Sequence, residues 1–152
     1  EAVQMMSKII RQVENGPDYQ TQLEVNRPKA EATVSDAISC AIRRISSILP
    51  VAVLVNYSES GSSSLRAARE RPVAPILNLT PNLSTARRLS VAWGVHSVVN
   101  DRLRQVDEVC STALEIAQAQ GMAERGDTLV ITAGVPFGQP GSTNSLRIEV
   151  LI

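Results

Sequence analysis

The chain has few of the side chains on which most enzyme active sites depend. Its 152 residues include one histidine, His96, and two cysteines, Cys40 and Cys110. One histidine excludes a metal site built on several histidines and most mechanisms in which a histidine activates a serine or a cysteine. The two cysteines lie far apart and form no CxxC pair, so we predict neither a disulfide framework nor a zinc site. Buried free thiols are typical of a reducing compartment, and we therefore expect a cytoplasmic protein.

Carboxylates and glycine-rich motifs give no sign of catalysis either. The aspartates and glutamates are scattered, and no pair has a spacing that indicates acid–base or metal chemistry. Asp107 and Glu108 fit the first turn of a helix, where negative side chains complement the helix dipole. Neither GxxxxGK followed by Ser or Thr nor GxGxxG occurs. The sequence predicts no catalytic residue and no bound metal; we interpret His96 as a core or surface residue of a strand, and Trp93 as a packing residue more than a ligand platform.

Charge and hydropathy exclude two further kinds of partner. The 15 basic and 15 acidic side chains balance, whereas a nucleic-acid-binding surface needs a basic excess. Most of the cations are arginines, which suits phosphate and carboxylate contacts, although the base composition of a genome explains such a bias as well. No apolar run approaches the roughly 20 residues of a membrane span, and no signal peptide opens the chain. We expect no nucleic-acid partner and no membrane partner.

Hydrophobic periodicity predicts strands that alternate with helices. A helix runs from Thr33 to Leu49, with Thr33 and Asp36 as a capping box and Pro50 as its stop. Beyond it we predict strands over 51–55, 75–79, 95–99, 128–132 and 146–152 and helices over 63–70, 84–90 and 105–120. This order is typical of an α/β fold with three layers, α/β/α, around a five-stranded, mostly parallel sheet.

The last strand is expected to differ from the others in direction. Residues 133–145 are too few for a helical crossover, so the final strand should return antiparallel. Its alternation of apolar residues fits an edge strand with one polar face, and such a strand could pair with its counterpart across a two-fold axis.

The amino-terminal part is organised separately. Apolar residues at helical spacing predict an amphipathic helix that ends before Asn15. Residues 16–30 are polar and without a period, which indicates a linker and a domain boundary. We therefore divide the chain into a first helix at 1–15, a linker at 16–30 and an α/β domain at 31–152. Because the chain starts within a helical pattern, we expect it to be part of a longer protein.

A short serine-rich loop most directly suggests a function. It lies between the first strand and a helix, and it holds Ser58, Ser60, Gly61, Ser62, Ser63 and Ser64. Backbone N–H groups at a helix N-terminus, the helix dipole and hydroxyl donors together favour an anion. Ligands of doubly wound sheets bind where the strand order reverses, so this loop would meet the Gly-rich loop at 134–144 if the first and fourth strands were neighbours. The alternative is that the serines only cap the helix.

Several motifs, in order along the chain, resemble the C-terminal domain of pyruvate kinase. The resemblance covers about residues 33–152, and its motifs include Ser58-Glu59-Ser60-Gly61, Arg71-Pro72-Val73-Ala74-Pro75-Ile76, Trp93-Gly94-Val95-His96, Ile131-Thr132-Ala133-Gly134-Val135-Pro136 and Gly141-Ser142-Thr143-Asn144. The opening residues 1–6 resemble the last helix of the catalytic barrel of the same family.

The resemblance implies a parent enzyme that moves phosphate from phosphoenolpyruvate to ADP, giving pyruvate and ATP in glycolysis, with magnesium and potassium as its ions. The family's catalytic residues lie on the barrel, so none can be assigned here; this chain alone should be inactive and should bind no cofactor. For this domain the family implies allosteric regulation and assembly into a homo-oligomer, which in the parent is a dimer-of-dimers tetramer.

The resemblance also implies a ligand and its binding residues. A phosphorylated effector, either a sugar phosphate or a nucleotide monophosphate, would bind at Ser58–Ser63, with Gly138 and Gly141 in the loop that closes over it. That loop resembles those of bacterial members that respond to monophosphates. Many members carry Arg or Lys where this chain has Ser62, and the missing charge should weaken phosphate binding or change the effector. The alternatives are a purely structural subunit-interface module without an effector, and a stand-alone protein that binds a phosphate ligand outside glycolysis.

Overall fold

Strands and helices alternate along most of the chain. The computed structural model describes residues 1–103, 105–137, 139 and 142–152. The elements are α1 (Ala2–Glu14), α2 (Pro17–Val25), α3 (Val34–Ile48), β1 (Val51–Tyr57), α4 (Ser62–Arg69), β2 (Ile76–Thr80), α5 (Leu83–Leu89), β3 (Val95–Val99), α6 (Val106–Ala119), β4 (Thr128–Gly134) and β5 (Thr143–Val150). The predicted alternation from α3 onward is confirmed.

The strands form a five-stranded sheet with the order β3-β2-β1-β4-β5. The first four of these strands run parallel, and β5 returns antiparallel beside β4. The connection between β4 and β5 is too short to carry the chain back to the opposite end of the sheet, which is why the last strand reverses. The predicted α/β fold with an antiparallel final strand is therefore confirmed, and β3 and β5 are the edges.

Helices cover both faces of the sheet and bury two separate hydrophobic clusters. One cluster lies between the sheet and α6, and the other between the sheet and α3 with α4. The first includes Val53, Val55, Leu77, Leu79, Leu129, Ile131, Val109 and Ala113, and the second includes Leu54, Ile76, Val130, Ile42, Ala67 and Ala68. Because the central strands are buried on both faces, they are nearly continuous apolar runs instead of alternating patterns.

Several strand ends lie elsewhere than predicted, among them the end of β1 and the start of β5. β1 continues to Tyr57, two residues beyond the predicted end, and β5 begins at Thr143, three residues before its predicted start. Asn56 ends the apolar run in the sequence, yet it is only 1% exposed and its side chain is hydrogen-bonded in the interior. A buried, fully paired polar residue therefore looks like a strand end when only the hydrophobic pattern is read.

The segment predicted as a linker contains a helix. Pro17 opens α2, and proline is favoured in the first turn of a helix because the N–H it lacks would have no helical partner there. Helix α2 has little apolar periodicity, and its Glu24 instead contacts Arg27 (2.9 Å) and Arg43 of α3 (3.0 Å). The prediction of a connecting segment without secondary structure at 16–30 is therefore wrong, while the division of the chain into domains stays a prediction.

A buried carboxylate joins α3 to α4. Thr33 caps α3 by accepting the Asp36 N–H (3.2 Å), whereas the N–H of Thr33 itself goes to the Glu31 carbonyl. The Asp36 carboxylate is fully buried, accepts the Glu31 N–H (2.6 Å) and contacts the Arg69 guanidinium of α4 (2.5 Å). The backbone N–H first, and the guanidinium second, hold the pKa of Asp36 below its ordinary value in spite of burial. The predicted capping box is only half formed, because its acid serves an ion pair between helices.

Asp36→Asn should destabilise the protein at neutral pH by about 2 kcal/mol, because it breaks a buried ion pair and leaves Arg69 without that partner. The lowered pKa means that this contribution is fully present above the ordinary value of 3.8 and is lost as the pH falls through the folded-state pKa. Urea denaturation across the pH range should therefore show wild type and variant converging in acid. The control Asp127→Asn, which removes a carboxylate acceptor of the Glu124 N–H (2.7 Å), should cost less at neutral pH. Equal costs would contradict the assignment.

Candidate functional site

The loops that follow β1 and β4 meet over one crevice. β1 and β4 are parallel neighbours, and β2 lies on the other side of β1. From β1 the chain adds β2 and β3 in one direction and then β4 in the other, so the strand order reverses between β1 and β4. This is the position at which open α/β sheets bind ligands. The crevice measures about 310 Å³ when its opening to solvent is included, and its described lining is Tyr57, Ser58, Glu59, Ser60, Ser63, Gly134, Phe137, Gln139, Ser142 and Thr143. The two loops thus come together as the sequence predicted.

The serine loop folds on its own hydroxyls. Ser58 Oγ accepts the Gly61 N–H (3.0 Å), and Ser60 Oγ accepts the Ser62 N–H (3.4 Å) and donates to Ser62 Oγ (3.1 Å). Helix α4 begins at Ser62. The backbone N–H groups of Ser63 and the residue after it have no acceptor among the described residues, as expected for the first turn of a helix. Unpaired N–H groups at a helix N-terminus can bind an anion.

Helix α5 and its first-turn cap also hold the loop. Asn82 Nδ2 and Thr85 Oγ1 both donate to the Glu59 carbonyl, at 3.1 and 2.8 Å, and the Arg88 guanidinium donates to the Ser60 carbonyl. These three donors engage the loop carbonyls, whose partial negative charge would oppose an anion. The loop therefore presents hydroxyls to the crevice while its carbonyls are occupied by α5.

The opposite wall comes from the segment around the start of β5. The hydroxyls of Ser63 and Thr143 are 2.5 Å apart, which ties α4 to β5. Asn144 closes the base of this segment, because its side chain accepts the Val135 N–H (2.9 Å) and donates to the Val135 carbonyl (2.6 Å). The rings of Tyr57 and Phe137 lie 4.7 Å apart, centroid to centroid, and form an apolar part of the wall.

The crevice is polar, but its described lining contains no lysine or arginine. Its one charged side chain is Glu59. Positive potential therefore comes from the dipole of α4 and from hydroxyl donors, which are weaker than charged ones. Arg88 contacts the back of the loop through the Ser60 carbonyl and is not part of the lining. Ser62 brings no charge to the loop, as noted from the sequence.

The structure places the predicted site residues in three groups. Ser58, Glu59, Ser60 and Ser63 line the crevice, whereas Gly61 and Ser62 build the turn behind it. Gly138 and Gly141 lie outside the described residues. Sequence reasoning missed Tyr57, Phe137, Gln139, Ser142 and Thr143 as individual wall residues. The only signal was that Phe137 is the single phenylalanine of the chain and lies within the Gly-rich loop.

Other residues singled out from the sequence lie away from the crevice lining. Trp93 packs as predicted: its ring nitrogen donates to Glu14 (2.7 Å), and the Arg71 guanidinium lies 4.7 Å from its ring centroid. His96 is an exposed residue of β3. Cys40 and Cys110 are free thiols, half-buried and buried, and burial raises the pKa of both.

Two classes of site are not found in the described part of the chain. No three or more histidine, cysteine, aspartate or glutamate side chains are grouped there so that they could hold a metal ion. None of the helices described above has the length and hydropathy needed to cross a lipid bilayer.

Fold and crevice together define a class: a doubly wound α/β domain with a polar crevice at its topological switch point. A family model described as the alpha/beta domain of pyruvate kinase matches residues 36–149. The chain belongs to the pyruvate kinase family, and it corresponds to that family's C-terminal domain. The resemblance stated from the sequence is confirmed.

Relatives cover nearly all of this chain but extend well beyond it. Pyruvate kinase of Methylorubrum extorquens is 43% identical over 148 residues, which are 97% of this chain and 31% of the relative. Pyruvate kinase of Clostridium acetobutylicum is 32% identical over 151 residues, 99% of this chain and 32% of the relative. A solved structure, Cryptosporidium parvum pyruvate kinase in complex with ADP, matches with a TM-score of 0.76 and 26% identity over 87% of this chain and 26% of that chain. The chain thus spans about a third of the length of these two curated relatives.

Gly61→Ala should lower the free energy of unfolding by more than the left-handed backbone of Gly61 alone would cost. Gly61 has φ +79°, and a Cβ there would lie 3.1 Å from side-chain atoms of Thr85 and Leu89. Left-handed backbone costs a residue with a Cβ about 1 kcal/mol, and the crowding adds about 1 kcal/mol more. Gly121→Ala is the matched control, because Gly121 has φ +65° and nothing within 4 Å of its Cβ position. Urea denaturation of both variants measures the difference, and equal losses would mean that α5 yields to the new methyl group.

Proposed function

We propose that this chain is the effector-binding and subunit-assembly domain of a pyruvate kinase, and that a phosphate monoester binds in the crevice at the start of α4. The parent enzyme would convert phosphoenolpyruvate and ADP to pyruvate and ATP in glycolysis, in the cytoplasm. The observation that carries the proposal is the convergence of free helix N-terminal N–H groups and hydroxyls at the switch point of the sheet.

The phosphate would lie over the first turn of α4. The backbone N–H groups there point along the helix axis and have no acceptor among the described residues, while the hydroxyls of Ser58, Ser60, Ser63 and Thr143 surround them. A helix N-terminus and neutral donors can hold a phosphate without a cation, although with less energy than charge-assisted contacts provide. We therefore expect moderate affinity and strong dependence on the geometry of the turn.

Glu59 and the aromatic wall restrict the ligand further. The crevice has one helix N-terminus and one carboxylate, so a second phosphate would meet no cation of the described lining and would be repelled by Glu59. The Tyr57 and Phe137 rings give an apolar surface on which a sugar or a base could lie. These features favour a sugar phosphate or a nucleotide monophosphate over a bisphosphate.

Titration calorimetry with ribose 5-phosphate, glucose 6-phosphate, AMP and fructose 1,6-bisphosphate tests this proposal. At least one monophosphate should bind saturably and more tightly than the bisphosphate. Ser63→Asp should abolish binding, because it puts a negative charge on the crevice wall. Ser84→Asp is the matched control, since Ser84 is likewise the second residue of its helix but does not line the crevice. Binding that survives Ser63→Asp would place the ligand elsewhere, and no binding of any ester would favour a purely structural interface module.

The assembly part of the proposal is supported by the edge strand β5. It is paired on one side only, with β4, and its Ile148 and Val150 side chains are 45% and 48% exposed. An edge strand with exposed apolar side chains is suited to pairing with a second copy across a two-fold axis. We infer a homo-oligomer, a dimer of dimers in the parent, in which the effector regulates by binding one subunit arrangement more tightly than another.

Catalysis would belong to the parent and not to this domain. Because the chain lacks convincing acid–base pairs and spans about a third of its curated relatives, the barrel with its magnesium and potassium sites would supply the chemistry. The isolated chain, with its folding checked by circular dichroism, should therefore produce no pyruvate from phosphoenolpyruvate and ADP with both ions present. A coupled lactate dehydrogenase assay measures this, and turnover above the buffer blank would contradict the assignment.

A further inference from the structure

A row of polar side chains crosses the sheet next to the first turn of α4. Thr132 of β4, Asn56 of β1, Asn78 of β2 and Ser97 of β3 occupy neighbouring positions in the register of the four parallel strands. The first three are at most 1% exposed, and so is Ser64 of α4, which lies against them. We call these five residues the polar row.

Hydrogen bonds run along the polar row in one direction. Thr132 donates to the side-chain oxygen of Asn56 (2.5 Å), and the amide nitrogen of Asn56 donates to the Ser64 hydroxyl (3.4 Å). The Ser64 hydroxyl donates to the side-chain oxygen of Asn78 (2.8 Å), whose amide nitrogen donates to Ser97 (3.3 Å). Ser64 thus joins the two asparagines, and it is the member of the row that belongs to a helix. A buried network whose members are all paired is rigid, because each broken bond leaves a buried group unpaired.

The first turn of α4 needs such a contact to be held in place. Helix α4 has eight residues, too few to be stable alone, so tertiary contacts must position it. Its buried residues are Ser64, Ala67 and Ala68. The two alanines make apolar contacts, which tolerate sliding and rotation, whereas hydrogen bonds require a narrow range of distances and angles. The ion pair of Arg69 with Asp36 acts at the far end of the helix, through a long side chain.

We propose that Ser64 is a positioning residue of the ligand crevice; this inference rests on the proposed function of that crevice. Ser64 does not line the crevice, but it follows Ser63, which lines it and whose hydroxyl is hydrogen-bonded to that of Thr143 in the crevice wall. By fixing the first turn of α4 to the sheet, the polar row keeps the Ser63 hydroxyl and the free N–H groups where they reach one phosphate together. Donors that are already in place bind a ligand without the cost of ordering them, which matters most in a crevice whose described lining has no cation.

Ser64→Ala tests the proposal in the complete protein that carries this chain. The Leu65 amide donates to the Gly61 carbonyl, and its hydrogen exchange without ligand should become about fivefold faster. The Kd for ribose 5-phosphate and the Kd for inorganic phosphate should each rise about fivefold. Ser39→Ala is the matched control: Ser39 is also a buried helical serine, but its hydroxyl donates to Ser35 of its own helix (3.0 Å). It should leave both quantities unchanged.

The exchange rate and the Kd of Ser64→Ala together decide whether Ser64 positions the first turn of α4. Unchanged exchange in Ser64→Ala overturns the proposal whatever the ligand does, and faster exchange with an unchanged Kd overturns it as well. Wild-type protein that binds neither probe, nor glucose 6-phosphate or AMP, overturns the proposed function and this inference with it. If one of those two esters binds in place of ribose 5-phosphate, the Kd comparison is made with that ester. If Ser64→Ala folds poorly, Ser97→Ala removes only the far end of the polar row and should change both quantities in the same direction by a smaller factor.

Discussion

The parallel pairing of β1 with β4 is the constraint on which the rest of the structure depends. Both strands are central and covered by helices on both faces, so their pairing is held by the two hydrophobic clusters of the domain. Parallel strands end at the same edge, and the segments that leave them must share that edge. Ser63 and Thr143, which are 80 positions apart in sequence, are brought within 2.5 Å of each other in this way.

The electrostatics of the crevice follow from what the fold supplies and not from charged side chains. Helix α4 points its N-terminus at the crevice, α5 occupies the loop carbonyls, and hydroxyls fill the described lining around Glu59. Neutral donors contribute less per contact than guanidinium groups, so binding depends on many of them being correctly placed at once. Under the proposed function, the buried contacts of α4 therefore matter to a ligand that does not touch them.

Sequence reasoning succeeded where hydrophobic pattern and local chemistry agree. The strands around Val53, Leu77 and Val130 read as buried apolar runs, and the serine loop read as a helix start. It failed where tertiary contacts replace pattern: α2 has a proline start and ion pairs but no apolar stripe, and Asn56 looks like a strand end although it is buried. The capping box of α3 failed for a related reason, since the Asp36 carboxylate accepts the Glu31 N–H and pairs with Arg69 instead of accepting the N–H of Thr33.

The sequence by itself determined the order of strands and helices from α3 onward, the reversed last strand and the serine loop at a helix start, because these depend on neighbours along the chain. Its family motifs indicated a pyruvate kinase C-terminal domain, and the comparisons agree. Only the tertiary structure decided which residues of β5 lie next to the serine loop, which donors of α5 bond to the loop carbonyls, and which hydrogen bonds join the polar row to α4. Those features depend on residues from seven different strands and helices, and their spacing in sequence carries no information about which of them will meet.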